Sequence, residues 1–402
     1  MTDDAGDEAF RSRVREALDR LVHPNAPAWE AQRRIPREGW LALGDAGLLS
    51  LAVRGDGFAR SAVFLEELGA LGFAGIRTAI GVHAFMATSY VDFFGSESQR
   101  CRYLEPARQG RRIAALAITE EQAGSDLRWL ATVAERQDDG SYRLTGEKCH
   151  IVNGSSADFF VVLARARSEA VGRSLAGVIL MIVDAQQDGV SAQPEALLGW
   201  HGADVCRVHF RGARVPADAL LGPPNRGLVQ LMRTLDFERL VAGLLAVGGV
   251  RYCLDLVGRF VHHHVVGDTQ LSARQAVRHR VAALAADLDL VRQYARHATR
   301  LHCRGQLDAG TAAVVKAKAT ALAVEAAQMC VQYHGARGLL EDAAPARLYR
   351  DAMAGTIAAG ANELLLDVIF EMLSANAAES GEARTSHPGV DRRDWSRPGP
   401  SS

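Results

Sequence analysis

Hydrophobic positions divide the chain into regions of different period. Over residues 1–113 they recur at helical spacing: Val14, Leu18 and Leu21, then Leu41 to Leu51, then Val63, Phe64, Leu65, Leu68 and Leu71. His23-Pro24 and Gly55-Asp56-Gly57 interrupt them, and an N-terminal α-helical domain is expected. The period shortens over 114–217. Phe159 to Leu163, Val178 to Val183 and Val208 to Phe210 are short β-rich runs, and Arg143-Leu144-Thr145-Gly146 follows the turn Asp138-Asp139-Gly140. These predict a middle antiparallel β domain. Over 218–376 the chain returns to long Ala- and Leu-rich helices near 226–262, 273–304, 310–334 and 362–374, the makings of a four-helix bundle. Residues 377–402 have little to bury and read as a disordered tail. The fold class is therefore α+β and multidomain, in the order helix, β, helix.

Composition narrows the partners. Of 402 residues, 48% are apolar, enough for a sizeable core, and 46 basic against 47 acidic residues argue against a nucleic-acid or anionic-membrane surface. The longest apolar run, Leu240 to Val250 between Arg239 and Arg251, is too short to span a bilayer. Cys101, Cys149, Cys206, Cys253, Cys303 and Cys330 never fall in CxxC spacing, so reduced thiols in the cytoplasm are expected. The acidic start MTDDAGDEAF carries no signal-peptide pattern.

Three patterns bear on chemistry. Ala123-Gly124-Ser125-Asp126 reads as a tight turn offering backbone N–H groups and a hydroxyl to an anion, or simply as a capped turn. Leu231, Leu235, Glu238, Ala242 and Leu245 step by three and four, which sets Glu238 on an apolar helical stripe. Such a carboxylate is a paired structural charge or a functional group with a raised pKa. Asp236 and Arg239 share another face. His262, His263 and His264 point about 100° apart on a helix, so no metal site is expected of them.

Taken together, several segments resemble the acyl-CoA dehydrogenase family. They are Thr119-Glu120-Glu121-Gln122-Ala123-Gly124-Ser125-Asp126, Gly146-Glu147-Lys148-Cys149-His150-Ile151-Val152-Asn153-Gly154 and Arg214-Val215-Pro216. Gln332-Tyr333-His334-Gly335-Ala336-Arg337-Gly338 and Tyr349-Arg350-Asp351-Ala352 come next, in the same order as in the family. The resemblance implies FAD between the β domain and the C-terminal helices, α-proton abstraction from an acyl thioester, and hydride transfer from the β-carbon. By resemblance, Thr119 faces the flavin and Ser125 reaches the phosphates of flavin or thioester carrier. Gln332 and Gly335 meet the adenosine end of an FAD in a neighbouring subunit of a homotetramer or homodimer. Gln275 stands near the pyrophosphate and Gly360 near the cofactor.

The departures are specific. His150 replaces an aromatic that shields the flavin, and Val152 replaces a threonine that bonds near its reactive nitrogen. His263, Val266 and Gly267 stand for an Arg-x-x-Phe-Gly segment. Ala359 takes the place of the usual base, with Glu363 as a rival. A branch including isovaleryl-CoA and long-chain acyl-CoA dehydrogenases carries its glutamate earlier, before an Arg, as Glu238-Arg239 does here. Glu238 is therefore the expected base, with Asp236 and Arg239 toward the carrier. The thioester is coenzyme A or an acyl carrier protein, and the acceptor an electron-transfer flavoprotein or O2. A flavin monooxygenase or oxidase, and a non-catalytic flavin-binding protein, are the rival readings.

Overall fold

The organising element is a 37-residue helix, Gly227–His263. By length and composition it would suffice to cross a membrane, yet 67% of its most apolar window is buried inside the protein. Leu240, Val241, Leu244, Val247 and Val250 are spent on the core between the helices Phe58–Gly69, Gln275–Cys303 and Ala309–His334. The computed structural model describes residues 4–166 and 177–385.

Close approach and ion pairing fix the N-terminal helices to this axis. Gly69 and Gly248 let two helices meet backbone to backbone: a Cβ on Gly248 would lie 2.1 Å from the Glu66 carbonyl oxygen. Beside that crossing, Arg251 donates to both carboxyl oxygens of Glu67 at 2.9 and 2.6 Å, and Arg15 of the first helix adds a bond of 2.9 Å. Burial pushes the Glu67 pKa up, but these guanidinium groups outweigh it and hold the carboxyl at about 2. A depressed carboxylate contributes stability above its unfolded pKa near 4.5 and loses it as the pH falls toward 2. The gap in melting temperature between wild type and Glu67→Gln should accordingly shrink over that window. A gap independent of pH would contradict the ionic lock.

The middle domain holds β1 (Ala114–Ala117), β2 (Val133–Arg136), β3 (Tyr142–Ile151), β4 (Phe159–Ala166), β5 (Val178–Asp184), β6 (Val190–Pro194) and β7 (Cys206–Val215) in one sheet. Its order is β1-β4-β2-β3-β7-β6, with β5 on β4. Most pairings are antiparallel, as expected. However, β4 runs parallel to both β1 and β2, so the sheet is mixed. The sequence Ala-Ala-Leu-Ala of β1 carries no β-branched residue, and only pairing with β4 makes it a strand.

Loop Leu198 to Asp204 docks this domain on the C-terminal helix Ala344–Ile357. The Trp200 N–H donates to Asp351 Oδ1 at 2.7 Å, and Glu30 of the N-terminal domain accepts the Gly202 N–H at 3.1 Å. The Tyr349-Arg350-Asp351-Ala352 segment thus lies at a junction of all three regions. Ala344–Ile357 and the succeeding helix, which bends from it by 42°, complete the bundle as its fourth member. That last helix runs Asn362–Thr385, so residues 377–385 are helical rather than tail, because the Ala-rich stretch propagates the turn. The rest of the expected tail, 386–402, lies outside the described residues. The His263, Val266 and Gly267 segment ends the long helix and forms the hairpin β8 (Val265–Val266) and β9 (Thr269–Gln270).

Candidate active site

Glu238 lies on the inward face of the central helix and is 5% exposed. Burial raises its pKa to about 7, against the Tyr90 hydrogen bond and the Arg239 charge, which both lower it. Tyr90, fully buried on the helix Thr88–Phe94, donates its hydroxyl hydrogen to Glu238 Oε1 at 2.7 Å. Tyr90 shares a buried cluster with Leu231, Leu180 and the partly buried Ile118, the residue before Thr119. That cluster joins the carboxyl's surroundings to the rim of the β domain.

The rim is built on an internal ion pair. Lys148 is fully buried, and its Nζ donates to Glu120 Oε1 at 2.8 Å and to the Ile118 carbonyl at 2.9 Å. Glu120 also accepts the Ala131 and Thr132 N–H groups at 2.5 and 3.0 Å. Burial lowers the Lys148 pKa to about 8 against the pull of Glu120. Glu120 is pushed up by burial but held below its ordinary value by Lys148 and the other donors. The pair is ionised at neutral pH. It pins Thr119, half-buried, whose carbonyl accepts the Cys149 N–H at 3.0 Å.

The next residues on that strand complete the rim. His150 sits at φ +58°, exposed, held by Glu195, which accepts its N–H at 2.7 Å and contacts Nδ1 at 3.0 Å. Val152 packs on the helical core, and Asn153 donates to the Ala79 carbonyl at 2.9 Å. Thr119, His150 and Val152 therefore gather on adjoining strand ends. Ser125 is exposed in its turn, where a Cβ at Gly124 would meet open space.

The remaining expected residues lie apart. Gln275 is exposed at the first position of its helix. Gln332 and Gly335 are exposed at the end of Ala309–His334, near Phe260, whose ring stacks on His334 at 4.1 Å. Phe260 is about 33 Å from Glu238 along the helix, at 1.5 Å per residue. Asp236 and Arg239 pair with each other at 3.0 Å, and the buried Arg239 Nε has no hydrogen-bond partner among the described residues. Gly360 (φ +92°) and Ala359 (φ +54°) form a left-handed turn, and Lys316 Nζ donates to the Gly360 carbonyl at 2.6 Å. Glu363 is exposed beyond that turn.

The donors suit a dinucleotide. Two hydroxyls, Thr119 and Ser125, stand on the β side. The helix Gln275–Cys303 begins between Arg274 and Arg278 without a side-chain cap, a setting that favours a pyrophosphate. A Cβ at Gly335 would likewise meet nothing.

Sequence reasoning missed Tyr90, the Glu120–Lys148 pair and Lys316. Lys148 left a trace, a lysine between strand residues that point inward, but its buried partner lies 28 residues away in sequence. Tyr90 left none, being one aromatic in an apolar helix.

Three family models match the chain: "Acyl-CoA dehydrogenase, N-terminal domain" over residues 4–111, "middle domain" over 115–213 and "C-terminal domain" over 225–374. The mitochondrial long-chain specific acyl-CoA dehydrogenase of Sus scrofa is 30% identical over 90% of this chain and 85% of that one. The mitochondrial isovaleryl-CoA dehydrogenase of Pongo abelii is 30% identical over 91% and 88%. A crystal structure of an acyl-CoA dehydrogenase from Geobacillus kaustophilus superposes with a TM-score of 0.87 at 30% identity, covering 93% of this chain and 98% of that one.

Proposed function

Because the chain belongs to the acyl-CoA dehydrogenase family, we propose that it performs FAD-dependent α,β-dehydrogenation of an acyl thioester with Glu238 as the base. The observation that carries the assignment of the base is a buried carboxyl on an apolar stripe, with its pKa lifted to about 7 by desolvation. The α-proton of a thioester is weakly acidic, and a base with a pKa near the working pH is the effective one. Ala359, in the commoner position, has no proton acceptor, and Glu363 is solvated.

When bound, FAD supplies the acceptor for the hydride from the β-carbon. Thr119 and Ser125 hold its β-domain side, with His150 and Val152 alongside, and Gly360 lies near it. Gln275 and the uncapped helix start favour the pyrophosphate. Gln332 and Gly335 serve a neighbouring subunit's cofactor, which their distance from Glu238 supports. Exposed Tyr349, Ile357, Phe370 and Leu373 on the last two helices support a homotetramer or homodimer. Arg239, with a buried Nε unpartnered among the described residues, and Asp236 lie toward the carrier, coenzyme A or an acyl carrier protein. Six free cysteines support a cytoplasmic location.

Purified protein should be yellow and release FAD on denaturation, and its flavin content should fall when the oligomer dissociates. Release of FMN, or a stable monomer by light scattering with full FAD, would refute the cofactor and assembly readings respectively. Anaerobic bleaching of the flavin by a panel of acyl thioesters then reads the substrate. A second reading, O2 as acceptor in place of an electron-transfer flavoprotein, is favoured by Val152, which offers no hydroxyl. Oxygen uptake without an artificial acceptor separates the two.

A further inference from the structure

We propose that Tyr90 is the positioning residue for the base: its hydroxyl clamps Oε1 of Glu238 and leaves Oε2 free to take the α-proton. This rests on the reading of Glu238 as the base. Among the described residues, Tyr90 is the only hydrogen-bond partner of that carboxyl. A carboxyl on a long side chain with one contact would otherwise turn about its last torsions. The phenol is a rigid anchor with no exposed surface, set beside Phe94 with ring centroids 6.3 Å apart and beside Thr234 on the central helix.

The chain carries a local irregularity that serves this contact. Val82–Ala87, just before the Tyr90 helix, is π-helical. Each π turn adds a residue and rotates the next helical segment by about 100° relative to a continuous α-helix. Without it Tyr90 would face a different side of its helix. Such insertions recur at functional sites, and here the rotated side chain meets the proposed base. In the step served, the α C–H bond breaks and the proton bonds to Oε2; FAD, when bound, would accept the β-hydride, so that the electron pair left at the α-carbon forms the C=C bond.

The test separates aim from fold. An acyl-CoA lacking β-hydrogens cannot be oxidised, so loss of its α-deuterium to water, monitored by NMR, reads the base alone. Tyr90→Phe holoenzyme should exchange about 10²-fold more slowly, the cost of a misplacement of about 1 Å. FAD content, flavin spectrum and affinity for the unreactive thioester should stay within about twofold of wild type. Exchange at the wild-type rate, or a loss that merely tracks lost FAD, would overturn the proposal. Glu238→Gln in the same assay keeps the two claims apart. If it still exchanges, the base assignment fails; if it does not while Tyr90→Phe does, only the clamp fails. Should Tyr90→Phe not fold, difluorotyrosine at position 90 keeps the shape and should change the exchange rate several-fold. An unchanged rate there also overturns it.

Discussion

Glu238→Gln is expected to give a folded, yellow protein whose flavin is reduced by substrate at least about 10²–10⁴-fold more slowly than in the wild type. That is about 3–5 kcal/mol of barrier. Glutamine keeps the shape and still accepts the Tyr90 hydroxyl, so the loss isolates the base. The same substitution should stabilise the fold at alkaline pH. The folded carboxyl has a pKa of about 7 against an ordinary 4.5, so between these values the native state holds more protons than the unfolded one. Stability therefore falls as the pH rises through that window. The cost above pH 7 is about 3 kcal/mol at 1.36 kcal/mol per pKa unit, and Glu238→Gln removes it. Melting temperature should rise in the variant at pH 8 and match the wild type near pH 4.5. Wild-type flavin reduction should increase with pH across about 7. Reduction at the wild-type rate in Glu238→Gln would move the base elsewhere, with Glu363 next to test. Ala359→Glu in that background returns a carboxylate to the commoner place, and partial recovery is expected.

Lys148→Met should be the most damaging single change in the β domain. It leaves Glu120 buried without its cation, a loss of about 3–5 kcal/mol. The variant also frees the Ile118 carbonyl, so Thr119 loses its anchor and FAD content should fall together with thermal stability. Lys148→Met combined with Glu120→Gln should recover part of both, because the amide oxygen can still accept the Ala131 or Thr132 N–H. If the double variant is no better than the single one, the damage comes from lost packing of the lysine stem and not from the stranded charge. If Lys148→Met keeps full FAD and its melting temperature, the pair does not hold the rim.

The sequence by itself determined the domain order and the stripe that buries Glu238, because both are periodic and local. Apolar residues at steps of three and four dictate which face of a helix turns inward, whatever it meets. Three of the four expected long helices appear within about two residues of the expected bounds for the same reason, and the fourth starts where expected but runs on to Thr385. Strands β1, β2 and β6 were invisible because each is only four or five residues long with at most one β-branched residue, too weak a signal until a partner supplies the hydrogen bonds. The tertiary structure alone decided what surrounds the carboxyl. Tyr90 is 148 residues from Glu238 in sequence, and Lys148 is 28 from Glu120. Neither pair has a period or a spacing to betray it. A pKa near 7 and a single hydrogen bond are properties of the burial that packing creates, since desolvation depends on which chain segments close over a group and not on its neighbours along the chain.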